Sequence, residues 1–123
     1  MMNLFITHIK KLRQKRVMMR IIKLICHHQG LPRRKVFSHS RRYLYCSTRQ
    51  IIFYILRGRG YTCKSIGDIF EMNRGSVWCG SRVVIDQIEV DGAFNERVLD
   101  VVEYINKRVK KPNGKNHPVD IYL

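Results

Sequence analysis

Acidic residues are the scarcest feature of the first half of this chain, because no aspartate or glutamate occurs before Asp68. Residues 1–67 carry sixteen lysines and arginines, whereas residues 68–123 carry eight against nine carboxylates, so the two parts contribute +16 and −1 to the net charge of +15. Sixteen cations without one anion repel each other unless a partner or a counterion sheath offsets them. The charge pattern therefore predicts a polyanionic partner, with nucleic acid favoured and an anionic membrane surface as the weaker alternative.

Closely spaced cysteines are also missing. The four cysteines are separated by 19, 16 and 15 residues, whereas zinc sites are usually built from cysteine pairs two to four residues apart. His27 and His28 follow Cys26, but neighbouring side chains on a helix point about 100° apart and do not converge easily on one ion. We expect no metal, no cofactor, and free thiols in a reducing, cytoplasmic environment.

No apolar run is long enough to span a membrane. The best candidate lies within residues 21–26 and is interrupted by Lys23, whereas a membrane-spanning helix needs about 20 apolar residues. The sequence also offers no paired carboxylates, no nucleophile beside an evident base and no metal-ligand spacing. We therefore expect neither a membrane partner nor an enzyme.

What the sequence does contain is helical periodicity. Apolar residues recur three or four positions apart along most of the chain, which predicts an all-α fold of about six helices around a helix-turn-helix. Residues 4–28 suit one long amphipathic helix or two shorter ones. Gly30 suits the end of that segment, and Pro32 suits the first turn of a short helix that ends at Phe37.

Four further helices follow a polar loop at residues 38–42. They are predicted from about Thr48 to Gly58 or Gly60, from Thr62 to Phe70, from Asn73 to Ile88, and from about Gly92 to Ile105. Thr62 and Asn73 are good N-cap residues. In the helix after Asn73, one inward stripe is expected to contain Val77, Ser81, Val84, Ile85 and Ile88.

This pattern divides the chain into three parts. They are a basic N-terminal extension (1–17), a helix-turn-helix domain (18–108) and a basic tail (109–123). The extension leaves three interpretations open, namely packing on the core, a flexible basic arm, and contact with lipid. The tail contains two prolines and a glycine and is predicted to be loose.

One alternative would change the fold class. The run "IIFYIL" at residues 51–56 also suits a buried strand. In that case "GRGYTCKS" after it resembles a phosphate-binding loop, and "VVIDQ" at residues 83–87 resembles a magnesium-binding strand end. Cys63 stands where that loop needs its second glycine, and a side chain there obstructs the approach to phosphates. We therefore prefer the helix.

The segments 62–70 and 73–88, joined by a short turn, have the pattern of a helix-turn-helix, whose second helix enters the major groove of DNA. Gly67 lets the two helices approach closely. The second helix begins "NRGSVWCGSR", an unusual start because each glycine inside a helix costs roughly 1 kcal/mol relative to alanine. Residues at this end reach bases, so Arg74 suits a bidentate bond to guanine and Gly75 leaves room for the groove edge.

The same segment resembles a known family. "TRQIIFYILRGRGYTCKSIGDIF" at residues 48–70, followed by "NRGSVWCGSRVVIDQIEVDGAFNERV", is similar to the C-terminal DNA-binding domain of the bacterial chromosomal replication initiator DnaA. That family has the motifs ARQIAMYL, S-L-x-E-I-G and F-G-R-D-H-S-T-V-L-H-A. Upstream, "IIKLICHHQGLPRRKVFSHSRR" is similar to its first helix, linker and basic loop. The resemblance spans roughly residues 20–106 and implies a helix-turn-helix connected with replication initiation.

The resemblance also implies roles for single residues. Arg49 matches the arginine that the family inserts into the minor groove, Thr62 matches a helix-capping serine, and Arg82 matches a basic position where a phosphate contact is expected. Residues 73–77 fall on the family's D-H-S/T-T-V, of which only Val77 is identical. The departures fall where sequence is read, so we expect a different target sequence or a shift toward backbone-dominated binding.

The sequence therefore predicts a non-enzymatic, cytoplasmic and nucleoid-associated protein that binds double-stranded DNA sequence-specifically and is connected with the control of replication initiation. A replication initiator protein is a second expected partner. The expected base contacts are Arg49, Asn73, Arg74, Gly75 and Ser76, and the expected phosphate contacts are Arg41, Arg42, Thr62, Lys64 and Arg82. Two alternatives stay open: a regulator that binds an initiator or the DNA backbone without reading sequence, and a transcription regulator of a mobile element.

Overall fold

In the computed structural model, which describes residues 2–110 and the side chains of residues 4–110, the chain forms six α-helices. Their bounds are α1 Met2–Gln29, α2 Arg33–Phe37, α3 Tyr43–Gly58, α4 Cys63–Phe70, α5 Arg74–Val90 and α6 Gly92–Arg108. No strand occurs within the described range, so the predicted all-α fold is confirmed. Residues 111–123, which make up most of the predicted tail, lie outside that range.

Helix α3 is the centre of the fold, with α1, α2, α4 and α5 packed around it. Residues 51–56 of this helix are all buried, and a helix that is apolar on every side is one that other elements surround. The run therefore has no exposed face and no helical period, which is why it also suited a strand. The alternative of a strand followed by a phosphate-binding loop is wrong.

The start of α3 differs from the prediction. The helix begins at Tyr43, well before the expected start near Thr48. Threonine favours helix starts in general, but Thr48 is fully buried and its hydroxyl accepts a hydrogen bond from Arg97 Nη2 at 3.0 Å. Arg97 also donates to Ser47 Oγ at 3.0 Å and to Gln29 Oε1 at 2.7 Å. This guanidinium, whose pKa is lowered by burial, ties α6 to α3 and to the end of α1.

A buried arginine, Arg59, holds the end of α6. Arg59 Nη2 donates to the Val109 carbonyl and to Asn106 Oδ1, both at 3.1 Å. The carbonyl end of a helix carries partial negative charge, which favours a cation there. Val109 is itself 5% exposed, so the packed domain reaches at least one residue beyond the predicted end at 108.

Helix α1 is a single helix of 28 residues, about 42 Å long, which decides between the predictions of one helix and two. Its second half packs on the core, and Met18 is the first buried side chain along the described part of the chain. The first half projects from the core, where Leu4 and Phe5 are 76% and 66% exposed. None of the helices within residues 2–110 combines the length and apolar content needed to cross a bilayer.

Candidate nucleic-acid interface

Helices α4 and α5, joined by residues 71–73, occupy the segments for which a helix-turn-helix is predicted, and we name them the helix-turn-helix pair after that prediction. Helix α4 ends against Glu71, which adopts the left-handed conformation with φ of 55° and ψ of 43°. The Met72 amide then donates to the Gly67 carbonyl at 2.9 Å, the bond of a Schellman motif. A Cβ atom on residue 67 would collide with the Met72 carbonyl oxygen. The close approach expected at Gly67 is thus made by the turn between the two helices.

Side chains cap both helices of the pair, as predicted for Thr62 and Asn73. Thr62 Oγ1 accepts from the Ser65 amide at 3.1 Å, and Asn73 Oδ1 accepts from the Ser76 amide at 2.8 Å. Each bond satisfies an amide that has no partner within its own helix. The first turn of α5 is therefore held by the folded-back turn before it and by the Asn73 side chain.

The outward face of α5 begins with a row of three side chains. Arg74, Trp78 and Arg82 are spaced four residues apart, which places them on one side of the helix. All three are exposed, Trp78 to 53%. Arg82 Cζ lies 5.8 Å from the centre of the Trp78 ring, within the range of a cation–π interaction. The second helix of the pair thus presents two cations and one aromatic ring to solvent.

Trp78 is the functional candidate that the sequence prediction lacks. The predicted inward stripe is correct, since Val77, Ser81 and Val84 are buried and Ile85 and Ile88 are partly buried. The residues one position after Val77 and Ser81 are Trp78 and Arg82, which therefore lie off that stripe. Extending the stripe argument to the positions beside the stripe would have identified the tryptophan.

The two glycines of α5 have different surroundings. Gly75 is exposed next to Arg74. A Cβ atom on Gly80, in contrast, would lie 2.8 Å from Phe53 Cδ2, closer than carbon atoms pack. Phe53 in turn meets the Phe70 ring edge-on, with ring centres 5.1 Å apart. Gly80 therefore lets α5 approach α3, and only Gly75 is placed to approach a ligand.

Arg49 does not lie on the exposed surface. Its side chain is 5% exposed, and its guanidinium donates to the Val36 carbonyl at 3.2 Å and to the Ser40 carbonyl at 2.8 and 3.3 Å. Burial lowers the pKa of Arg49, an effect that the nearby Cys46 thiol partly opposes. Entry into a minor groove would require this side chain to leave its carbonyl partners. We therefore do not include Arg49 in the proposed interface.

Arg49 instead holds the basic loop, residues 38–42, that carries Arg41 and Arg42. His39 Nε2 lies 3.2 Å from the Phe70 carbonyl at the end of α4, so the loop is also joined to the helix-turn-helix pair. A cleft of about 510 Å³ opens beside it, lined by Arg34, Lys35, Ser38, Ser40, Arg42 and Tyr45. Arg34 and Lys35 are cations that the sequence prediction did not select.

The predicted contact residues other than Arg49 are mostly at the surface. Ser76 is half-buried, and the exposed ones are Arg41, Arg42, Thr62, Lys64, Asn73, Arg74, Gly75 and Arg82. Lys64 shares a groove of about 410 Å³ with Lys11 and Lys15 of α1. Asp68 is the one carboxylate in the lining of this groove, so a net positive charge extends from the first helix of the pair onto the first half of α1.

The histidines and cysteines form no metal centre in the part of the chain that the structure describes. His28 packs against Tyr104, with ring centres 4.7 Å apart, and lies beside Gln29. Burial raises the pKa of the Cys26 thiol to about 11, so this thiol is uncharged at neutral pH and packs as a small apolar side chain.

The chain matches no family model, no curated protein and no solved structure. The fold and the site define an all-α protein in which two capped helices, α4 and α5, are joined by a short turn, and the second begins with an exposed, basic and aromatic row.

Proposed function

We propose that this protein binds double-stranded DNA through the helix-turn-helix pair, with the first turns of α5 in the major groove. The observation that carries the proposal is the exposed row of Arg74, Trp78 and Arg82 in the first half of a helix whose N-terminus is capped by Asn73. Recognition helices of this class contact base edges with their N-terminal residues. Arg74 is the residue that we expect to bond guanine O6 and N7, with Asn73 and Gly75 beside it.

Phosphate contacts are proposed for the exposed cations around α5. Arg41 and Arg42 stand on the basic loop that contacts the end of α4, and Lys64 lies in the first turn of α4 beside the Thr62 cap. Neither α4 nor α5 has an acidic side chain in its first turn, so no carboxylate in the first turn of either helix repels a phosphate. Neutralising about six phosphates gives a log–log slope of affinity against salt of roughly −5.

The charge of α5 changes sign along its length, which orients the proposed complex. Arg74 and Arg82 are followed by Asp86 and Glu89, and all four side chains are exposed. Phosphates attract the first pair and repel the second. We therefore expect α5 to enter the groove with its N-terminal half, while its C-terminal half points away from the DNA.

We further propose that the bound DNA takes part in the control of replication initiation. The support is the resemblance of roughly residues 20–106 to the DNA-binding domain of the replication initiator DnaA. The residues at 73–76 differ from those that the family uses to read its target, so a different sequence is expected. This role places the protein in the cytoplasm, at the nucleoid.

Selection of bound duplexes from a random pool at about 150 mM salt tests the proposal. We expect the selected duplex to bind at least ~1,000-fold more tightly than a scrambled duplex, the lower end for sequence-specific proteins. A pool that stays random contradicts sequence reading. It would favour a regulator that binds an initiator protein or the DNA backbone.

A further inference from the structure

Trp78 stands outside the buried core, in the middle of the exposed row Arg74, Trp78 and Arg82. The indole is 53% exposed and Val83, five residues further along, is 44% exposed. Between them lies Cys79, whose side chain is also exposed. Residues five apart point about 140° apart on a helix, so Trp78 does not share its side of α5 with Val83. The indole instead interrupts a row that is otherwise basic, and a half-exposed aromatic ring in such a row is typical of a contact residue.

The two arginines that flank Trp78 indicate what covers it. Arg74 precedes the indole by about one turn, and Arg82 follows it with its guanidinium 5.8 Å from the ring centre. A partner that covers this ring must also accept two positive charges close by. DNA does so, because its phosphates line both edges of the groove that holds the bases.

Phosphates and polar base edges do not bury an indole, but the major groove also offers one apolar group, the C5-methyl of thymine. We infer that Trp78 is a specificity-determining residue, whose ring covers thymine methyl groups while Arg74 bonds guanine. The inference rests on the proposed DNA binding.

The helix geometry predicts how far apart the guanine and the thymine lie in the preferred duplex. Arg74 and Trp78 are separated by four residues, or about 6 Å along the axis of α5. Successive base pairs are about 3.4 Å apart along the DNA axis. The preferred duplex should therefore contain a guanine and a thymine at most about two base pairs apart, because any tilt of α5 from the DNA axis shortens the separation along that axis.

Deoxyuridine substitution tests the inference directly, because it removes the methyl group of thymine and leaves base pairing and charge unchanged. The probes are the duplex selected from the random pool, the same duplex with deoxyuridine at each thymine in turn, and a scrambled duplex. The unsubstituted protein should lose affinity about fourfold for each methyl group that the indole covers, the factor expected from burial of one such group. Trp78→Ala should bind the thymine and deoxyuridine duplexes equally.

Two further variants complete the test. Trp78→Phe keeps an aromatic ring and should keep part of the preference for thymine, whereas Lys23→Ala removes an exposed charge on α1 and should keep all of it. Trp78 is the only tryptophan of the chain, so its fluorescence emission should shift when the selected duplex binds. An unchanged helical signal and melting temperature for Trp78→Ala shows that the variant is folded.

The outcomes separate this inference from the proposed function. If the selected duplex binds tightly but deoxyuridine has no effect at any position, the inference is overturned and DNA binding stands. The inference is also overturned if Trp78→Ala still distinguishes the thymine duplex from the deoxyuridine duplex. That result would favour a protein partner for the indole. If no duplex is preferred over the scrambled one, both the proposed function and the inference fall.

Discussion

Glu71 is the one non-glycine residue with a positive φ among the described residues. The two other helix ends of this kind, after α1 and after α3, place Gly30 and Gly60 in the corresponding position, with φ of 68° and 94°. The left-handed conformation costs roughly 1–2 kcal/mol for a residue with a side chain. A carboxylate at the carbonyl end of a helix is also unfavourable.

We expect Glu71→Gly to raise the free energy of unfolding by about 1 kcal/mol, because glycine adopts this conformation without steric cost. Glu103→Gly provides the matched control. That residue is exposed within α6, where the same substitution should lower the free energy of unfolding by about 1 kcal/mol. Urea titration measures both, and a loss of stability in both variants would contradict the explanation.

Arg49 also has a testable structural role. Arg49→Ala leaves the Val36 and Ser40 carbonyls without their guanidinium donor, so we expect a loss of about 2 kcal/mol or more in the free energy of unfolding. Arg41→Ala on the same loop removes an exposed charge and should change stability by less than about 0.5 kcal/mol. If Arg49 acted only in a minor groove, its replacement would leave the melting temperature unchanged and alter only DNA affinity.

Substitution of Arg74 and substitution of Lys64 should affect DNA binding in different ways. Arg74→Ala is expected to cost about 1–3 kcal/mol on the preferred duplex and to relax the preference at one base pair, whereas Lys64→Ala should weaken binding to all sequences alike. Affinities for the selected duplex and its single-base variants measure both effects. Unchanged relative affinities in Arg74→Ala would show that this residue does not read a base.

At the scale of elements, one side of α5 packs on α3 and another side is exposed. Gly80 brings it against Phe53 of α3, and Gly75 leaves space on the exposed side. The contact with α3 fixes how far α5 stands out from the core. The row of Arg74, Trp78 and Arg82 is therefore presented at a depth that the α3–α5 packing sets.

Alanine substitution separates the two glycines. Gly80→Ala places a Cβ atom 2.8 Å from Phe53, so we expect a loss of about 1–3 kcal/mol in the free energy of unfolding from overpacking. Gly75→Ala meets only the end of the Asn73 side chain, at 3.2 Å, and should change stability by less than about 1 kcal/mol while it weakens DNA binding. Thermal unfolding and duplex titration together distinguish these effects, and equal loss of stability in both variants would argue against the different roles.

At the scale of the whole molecule, the excess positive charge of residues 1–67 is spread over most of the elements that this part of the chain forms. The cations of residues 1–67 are distributed over α1, α2, the basic loop, α3 and the start of α4. Arg49 and Arg59 are drawn inward to carbonyl oxygens, and most of the others stay exposed. Their mutual repulsion opposes folding in the absence of a polyanion.

Salt should therefore act in opposite directions on stability and on binding. Raising the ionic strength from about 50 to about 500 mM should increase the melting temperature of the free protein, because screening weakens the repulsion. The same change should lower DNA affinity with the slope of roughly −5 expected for about six phosphates. A melting temperature that does not rise with salt would show that the fold already compensates its charge.

Local signals in the sequence determined the helices of the candidate site. The caps Thr62 and Asn73, the stripe of Val77 and Val84, and the glycine after α1 act within a few residues of chain, so the sequence was enough to place α4, α5 and the end of α1. The cations predicted to contact phosphates are exposed, as their charge alone indicated.

Only the tertiary structure decided which of these residues face inward. Thr48 looked like a helix start but receives a hydrogen bond from Arg97, 49 residues away in sequence. Arg49 bonds the end of α2 and the loop, and Gly80 meets Phe53. These partners lie on other elements, so no local pattern reports them. The sequence by itself determined the helices and the charge, whereas packing between helices decided that Trp78 lies outside and Arg49 inside.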